Sequence, residues 1–118
     1  MQQEEQLARI IAEVCEGEKA REVLVLDVSE LTIIADYFVI ASGRNVIQVR
    51  SLAEEIEKKT KAAGFMPLRR EGMQQGVWII LDYGAVLVHL FRQEEREYYA
   101  LETLWGDARE VDFQPRGL

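Results

Sequence analysis

The chain has 118 residues, 48% of them hydrophobic and 30% charged, with a formal net charge of −7. That length suits a single domain with a real core, and no apolar run approaches the ~20 residues that a membrane-spanning helix needs. An acid excess of this size is repelled by phosphate backbones, so little direct nucleic-acid contact is expected, and a basic protein is the better-matched partner.

The excess is uneven. Residues 1–30 hold 8 acids against 3 bases and residues 92–118 hold 7 against 4, while the middle is nearly balanced. The polar, acidic N-terminus lacks the form of a secretory signal. The one cysteine, Cys15, allows no internal disulfide, so a reducing, cytoplasmic setting is expected.

Residues 3–16 read as an amphipathic helix, with Leu7, Ile10, Ile11, Val14 and Cys15 on one stripe and Gly17 as its stop. Cys15 falls on that stripe and reads as a small buried apolar residue, not a nucleophile. After a charged connector, residues 23–28 form a short strand, apolar at nearly every position as if covered on both faces. Residues 29–34 turn the chain into a second buried strand over residues 36–41.

Asn45 and Gln48 then have capping-box spacing and open a second helix. Its buried stripe is Val49, Leu52, Ala53, Ile56, Thr60 and Ala63, and Gly64 ends it. Lys58, Lys59 and Lys61 crowd its last turns, where cations complement the helix dipole, and read as a solvated face. Residues 67–71 make a short polar strand at a sheet edge, because Pro67 cannot donate to a ladder.

Two β-branched and aromatic runs over residues 77–91 predict a β-hairpin turning at Tyr83-Gly84. That register pairs Leu81 with Val86 and Trp78 with His89. It puts Val77, Ile79, Leu81, Val86, Val88 and Leu90 on one aliphatic face. The other face carries Trp78, Ile80, Asp82, Ala85, Leu87, His89 and Phe91, and its mixture of groups makes it the first place to look for function. Residues 92–105 read as one final helix with Tyr98, Leu101 and Trp105 on one side. Residues 1–105 are thus one domain, and the tail from 106 to 118, without periodicity, is expected to be loose. The order α-β-β-α-β-β-β-α describes an α/β domain with a single mixed five-stranded sheet covered by helices.

The sole histidine and the sole cysteine make a metal cage implausible, and no cofactor is expected. A triad of His89 and Asp82 with a serine is disfavoured, because the two lie about seven residues apart along the hairpin. His89 reads better as a partner contact, or as a half-buried residue beside Trp78. A nucleotidyltransferase or other nucleotide-binding enzyme is the alternative. Ser42-Gly43 before a helix suits it, but Arg69 and Arg70 stand where its Mg²⁺ would need carboxylates. Surface recognition remains, by Trp78, Asp82, Tyr83, His89, Phe91, Tyr98 and Tyr99 with Glu94, Glu95 and Glu102. Aromatics among acids suit a basic protein partner, although some of them belong to the core.

Several linked blocks resemble one family. They are Asp27-Val-Ser, Ala35-Asp-Tyr-Phe-Val-Ile-Ala-Ser-Gly43, Arg70-Glu-Gly72, Trp78-Ile-Ile-Leu-Asp-Tyr-Gly84, Val88-His-Leu-Phe91 and Arg96-Glu-Tyr-Tyr-Ala-Leu-Glu-Thr-Leu-Trp105. Together they are similar to the ribosomal silencing factors, the Iojap-related proteins. The resemblance implies a nucleotidyltransferase-like fold without catalytic residues. It also implies a translational repressor that binds the large ribosomal subunit through the fourteenth large-subunit ribosomal protein and sterically blocks joining of the small subunit. A homodimer when off the ribosome is implied as well.

Overall fold

The computed structural model describes residues 3–113. In chain order the elements are α1 (Gln3–Gly17), β1 (Arg21–Asp27), β2 (Tyr37–Gly43), α2 (Val46–Ala62), β3 (Arg69–Glu71), β4 (Trp78–Asp82), β5 (Val86–Arg92), α3 (Gln93–Tyr99), α4 (Leu101–Leu104) and β6 (Arg109–Glu110). One mixed sheet has the order β3-β4-β5-β2-β1-β6, with β2 and β5 parallel and the other pairs antiparallel. A parallel pair needs a crossover, and α2 supplies it.

Alternate strand residues sort into two cores. Val25, Val39, Ala41, Ile79, Leu81, Val86, Val88 and Leu90 pack against α1 and α2. Leu26, Phe38, Ile40 and Phe91 pack on the other side, under Leu101 and Trp105. Along α1 the buried stripe centres on Ala8 and Ala12, whereas Ile10 and Val14 are only half-buried. Small side chains there let the helix lie close to its neighbours. Cys15 is fully buried, and burial pushes its thiol up to about 12, which makes it inert as a nucleophile.

The helix ends show how local sequence sets boundaries. Asn45 Oδ1 accepts from Gln48 N at 2.9 Å, as expected of the cap, while Gln48 Oε1 accepts from Arg44 N, one residue before the cap. At the far end Phe65 N donates to Thr60 O and Gly64 N to Lys61 O, the paired bonds that close a helix on a left-handed residue, here Gly64 at φ +95°. The end of α1 departs from expectation. Gly17 stays helical, and Lys19, at φ 63°, takes the left-handed position with the same pair of closing bonds.

The hairpin strands keep the expected faces but not the expected register, and Ala85, expected on the mixed face, is instead a turn residue packed against the α1 and α2 core. Trp78 pairs with Phe91, Ile80 with His89 and Asp82 with Leu87, so the turn residues are Gly84-Ala85, not Tyr83-Gly84. Asp82 decides this. Its carboxylate accepts from Gly84 N at 2.8 Å, fixing Gly84 at φ +87° as the first turn residue. Moving the turn by one residue moves the pairing by two, and a shift of two leaves every strand side chain on its face. Gly72, at φ +83°, lies so close to the Trp78 carbonyl that no Cβ could fit there.

Two expectations about the C-terminal third are corrected. The final helix is broken at Ala100, which is left-handed at φ 48°, ψ 51° and costs about 1 kcal/mol for a residue with a Cβ. The break leaves Tyr98 exposed while Leu101 and Trp105 turn into the second core. The segment after Gly106 supplies a sixth strand in place of a loose tail over its described part. Arg109 and Glu110 pair with Asp27 and Leu26, and Arg109 Nη2 meets Asp27 Oδ2 at 2.9 Å. The Ser29 hydroxyl, with help from Arg109, holds the Asp27 carboxyl below its usual range. Residues 114–118 of the expected tail lie outside the described residues.

Candidate functional site

The mixed face of the hairpin is covered by α3 and α4, and an aromatic cluster fills the space between. Trp78 lies 4.9 Å from Phe91 and 4.7 Å from Tyr99, ring centre to ring centre. His89 stacks toward Phe91 at 6.3 Å, and Phe38 meets both His89 and Trp105 edge-on at 5.2 and 5.1 Å. Such offset and edge-on pairs add to what area burial contributes. Phe91 is fully buried, so it seats the cluster and offers no surface to a partner.

His89 lies beside Trp78, as expected, but it is buried where a half-buried residue was expected. It is 8% exposed, and its Nδ1 accepts from the Trp78 indole N–H at 3.2 Å. That bond puts the neutral ring's own proton on Nε2, which is buried without a hydrogen-bond partner among the described residues. Burial pushes the imidazole down to about 4, so the ring is neutral at ordinary pH. The observed register sets His89 and Asp82 on diagonal positions of one face, closer than expected. Each is nonetheless engaged elsewhere, and no catalytic pair forms.

The outer surface of α3 and α4 carries the exposed groups. Tyr98 is 82% and Leu104 73% exposed, with Tyr99 half out beside Tyr98. Arg92 pairs with Glu94 at 3.2 Å and with Glu95 at 2.7 Å, and this pairing holds the Glu95 carboxyl below its usual range. Beneath them lies Arg96, 3% exposed, which ties four elements together. It donates to the Glu22 carbonyl at 2.9 Å and to Ser42 Oγ at 3.4 Å, and it pairs with Glu102 at 3.2 Å across the break at Ala100. Glu102 is therefore engaged in fixing α4 against α3.

Ten residues are expected to form the partner surface, and the structure divides them. Trp78, His89, Phe91 and Tyr99 share the aromatic cluster, with Tyr98, Glu94, Glu95 and Glu102 on its helical cover. Asp82 and Tyr83 lie elsewhere, at the hairpin tip. Asp82 pairs with Arg69 at 3.1 Å, and Tyr83 turns to the α2 side, where its hydroxyl meets Thr60 Oγ1 at 2.8 Å. Three contributors are absent from the sequence reading. Arg96 and Glu102 are six residues apart, a spacing with no meaning on a continuous helix. Phe38 reads only as a buried strand residue, and Leu104 as one more helical apolar position. Leu31, Ile33 and Ile34, all exposed in the β1–β2 connection, form a second apolar patch that carries no signal beyond a turn.

Comparison with known proteins gives a consistent family. Residues 1–117 match the family described as "Ribosomal silencing factor during starvation". The ribosomal silencing factor of Bacillus subtilis is 38% identical over 106 residues, covering 90% of each chain. That of Halalkalibacterium halodurans is 36% identical over 110 residues, covering 93% of this chain and 94% of that protein. A crystallised protein of Chromobacterium violaceum superimposes with a TM-score of 0.86 at 31% identity, covering 97% of this chain and 94% of the other. With the family matched along nearly the whole chain and the fold shared, this protein belongs to the ribosomal silencing factor family.

Proposed function

We propose that this protein is a non-enzymatic translational repressor that acts by occupancy. It binds the large ribosomal subunit through the fourteenth large-subunit ribosomal protein and sterically blocks joining of the small subunit. Family membership over residues 1–117 carries this reading. The exposed Tyr98 and Tyr99, in contact with each other and on one short helix with Glu94 and Glu97, supply a surface of suitable chemistry for a basic protein, aromatic groups among acids. Catalysis has little to stand on. Arg69 and Arg70, in the strand where a nucleotidyltransferase would need metal-binding acids, are themselves paired with Asp82 and Glu57.

Off the ribosome the protein is a homodimer, and it works in the cytoplasm with little direct nucleic-acid contact. Among the described residues no helix is long and apolar enough to cross a membrane. The test is co-sedimentation with purified large subunits and with assembled ribosomes at matched concentration. Binding to free large subunits alone is expected. Equal binding to both would overturn the steric mechanism.

A second expectation concerns charge. The double variant Glu94→Lys/Glu95→Lys should slow association with the large subunit, and added salt should shrink the difference between variant and parent, as for any steering effect between exposed charges. Both residues lie on the outer helix, so the fold is expected to persist. Association rates insensitive to both substitution and salt would refute electrostatic steering.

A further inference from the structure

An open groove of about 770 Å³ lies at the β3 edge of the sheet, on the α2 side and away from α3 and α4. One wall is the outer face of α2, and the other is the segment 66–70. We propose that this groove binds an extended segment of a protein partner carrying acidic and large apolar side chains in alternation.

Three observations converge on that occupant. Met66 and Leu68 are 60% and 72% exposed, side by side around Pro67 in a groove wall. Pro67 holds Met66 extended, so both side chains are presented on a stiff stretch of chain. Lys58 and Lys61, three residues apart on one face of α2, have no ion-pair partner among the described residues, although the chain as a whole is strongly acidic. Finally β3 ends the sheet, and its outer edge has no strand partner among the described residues, so its backbone is open to an extended peptide. Three residues offer few ladder bonds. Side-chain recognition by the lysines and by Met66 and Leu68 must therefore supply the specificity.

The same charges disfavour the other occupants. Arg69 and Arg70 are neutralised by Asp82, Glu71 and Glu57, which leaves Lys58 and Lys61, beside Glu54 and Glu57, as the groove's cations without an ion pair among the described residues. Nucleic-acid affinity grows with the number of phosphates neutralised, and acids in the groove subtract from it. A second copy pairing antiparallel along β3 would set Arg70 against Arg70 and could pair only three residues a side, so it brings neither the acidic groups nor the length that the groove accepts.

The test is an amide-resolved NMR titration of the full chain with three probes: a short Glu/Leu alternating peptide, its Lys/Leu counterpart and an oligouridylate. The Glu/Leu peptide is expected to shift the amides of residues 58–61 and 66–71. The double variant Lys58→Glu/Lys61→Glu should weaken it by about tenfold or more, and Met66→Ser/Leu68→Ser should do likewise. All four positions are exposed, so both variants are expected to fold. Co-sedimentation with large subunits should be unchanged in the lysine variant, which separates this groove from the ribosome-binding reading. Tighter binding of the Lys/Leu peptide or the oligouridylate, a titration indifferent to the charge reversal, or shifts confined to α3 and α4 would overturn the proposal. A parallel loss of large-subunit binding in the lysine variant would also overturn it, because the groove would then belong to the ribosome-binding surface.

Discussion

Replacing Phe91 by alanine is expected to lower the stability of this protein by about 3–5 kcal/mol, the range for deleting a fully buried aromatic side chain. The lost ring leaves a void bounded by Trp78 and His89 and removes the support behind Tyr99. Its effect on large-subunit binding should come only through unfolding. Ile79→Ala and Val88→Ala, in the other core, should behave alike, at about 1–4 kcal/mol. Tyr98→Ala should do the reverse, leaving the melt unchanged and weakening binding by more than ~1 kcal/mol as an anchor residue does. Trp78, half-buried and both stacked and hydrogen-bonded, should lose on both measures. Denaturant melts paired with co-sedimentation for these variants decide the matter. A Phe91→Ala protein of native stability that fails to bind would restore Phe91 as a surface contact and contradict the packing described here.

Stability should also fall as pH drops from 6.5 toward 4, by roughly 3 kcal/mol at most from His89 alone, given a folded value of about 4 against 6.5 for the free side chain. The sign follows from proton counts. In that window the unfolded chain binds a proton at His89 and the folded chain does not, so acid favours unfolding, and the effect levels off below about 4. The structural cause is plain. A proton on Nδ1 would face the Trp78 N–H, donor against donor, and would put a charge among Phe38, Phe91 and Trp78. His89→Gln keeps a carbonyl to accept from the indole and cannot charge. Its stability should vary less across the window than the parent's, as read by urea melts at several pH values. Identical pH dependence in the two proteins would remove His89 as the source.

Periodicity and capping made much of the architecture legible. The apolar stripe of α2 from Val49 to Thr60, its Asn45 cap and its Gly64 stop are local patterns, set by residues within one turn of each other, and they are found where the sequence puts them. Ala63, expected on that stripe, instead lies exposed at the C-cap. The sorting of the hairpin into an aliphatic and a mixed face was legible for the same reason, since alternation depends only on parity. Register was not. It turned on one hydrogen bond, from Gly84 N to the Asp82 carboxylate, that competes with an equally plausible turn one residue earlier. β6 was invisible because a two-residue strand has no period, and it exists through its pairing with β1 and the Arg109–Asp27 contact.

The candidate site divides along the same line. The sequence by itself determined which residue types gather on the mixed face of the hairpin, that the short strand after α2 carries Arg69 and Arg70, and which family the linked blocks resemble. Which of Phe91 and Tyr98 is exposed could not be read from alternation, because a strand face is open or closed according to what packs on it. The tertiary structure decided that by breaking the last helix at Ala100, where Arg96 and Glu102 meet across the bend and lay α3 and α4 over the aromatic cluster. That choice rests on contacts between residues six, fifty-four and seventy-four positions apart, Arg96 with Glu102, Ser42 and Glu22. No local pattern encodes such contacts, since they form only once the folded chain holds those groups within hydrogen-bond reach and out of water.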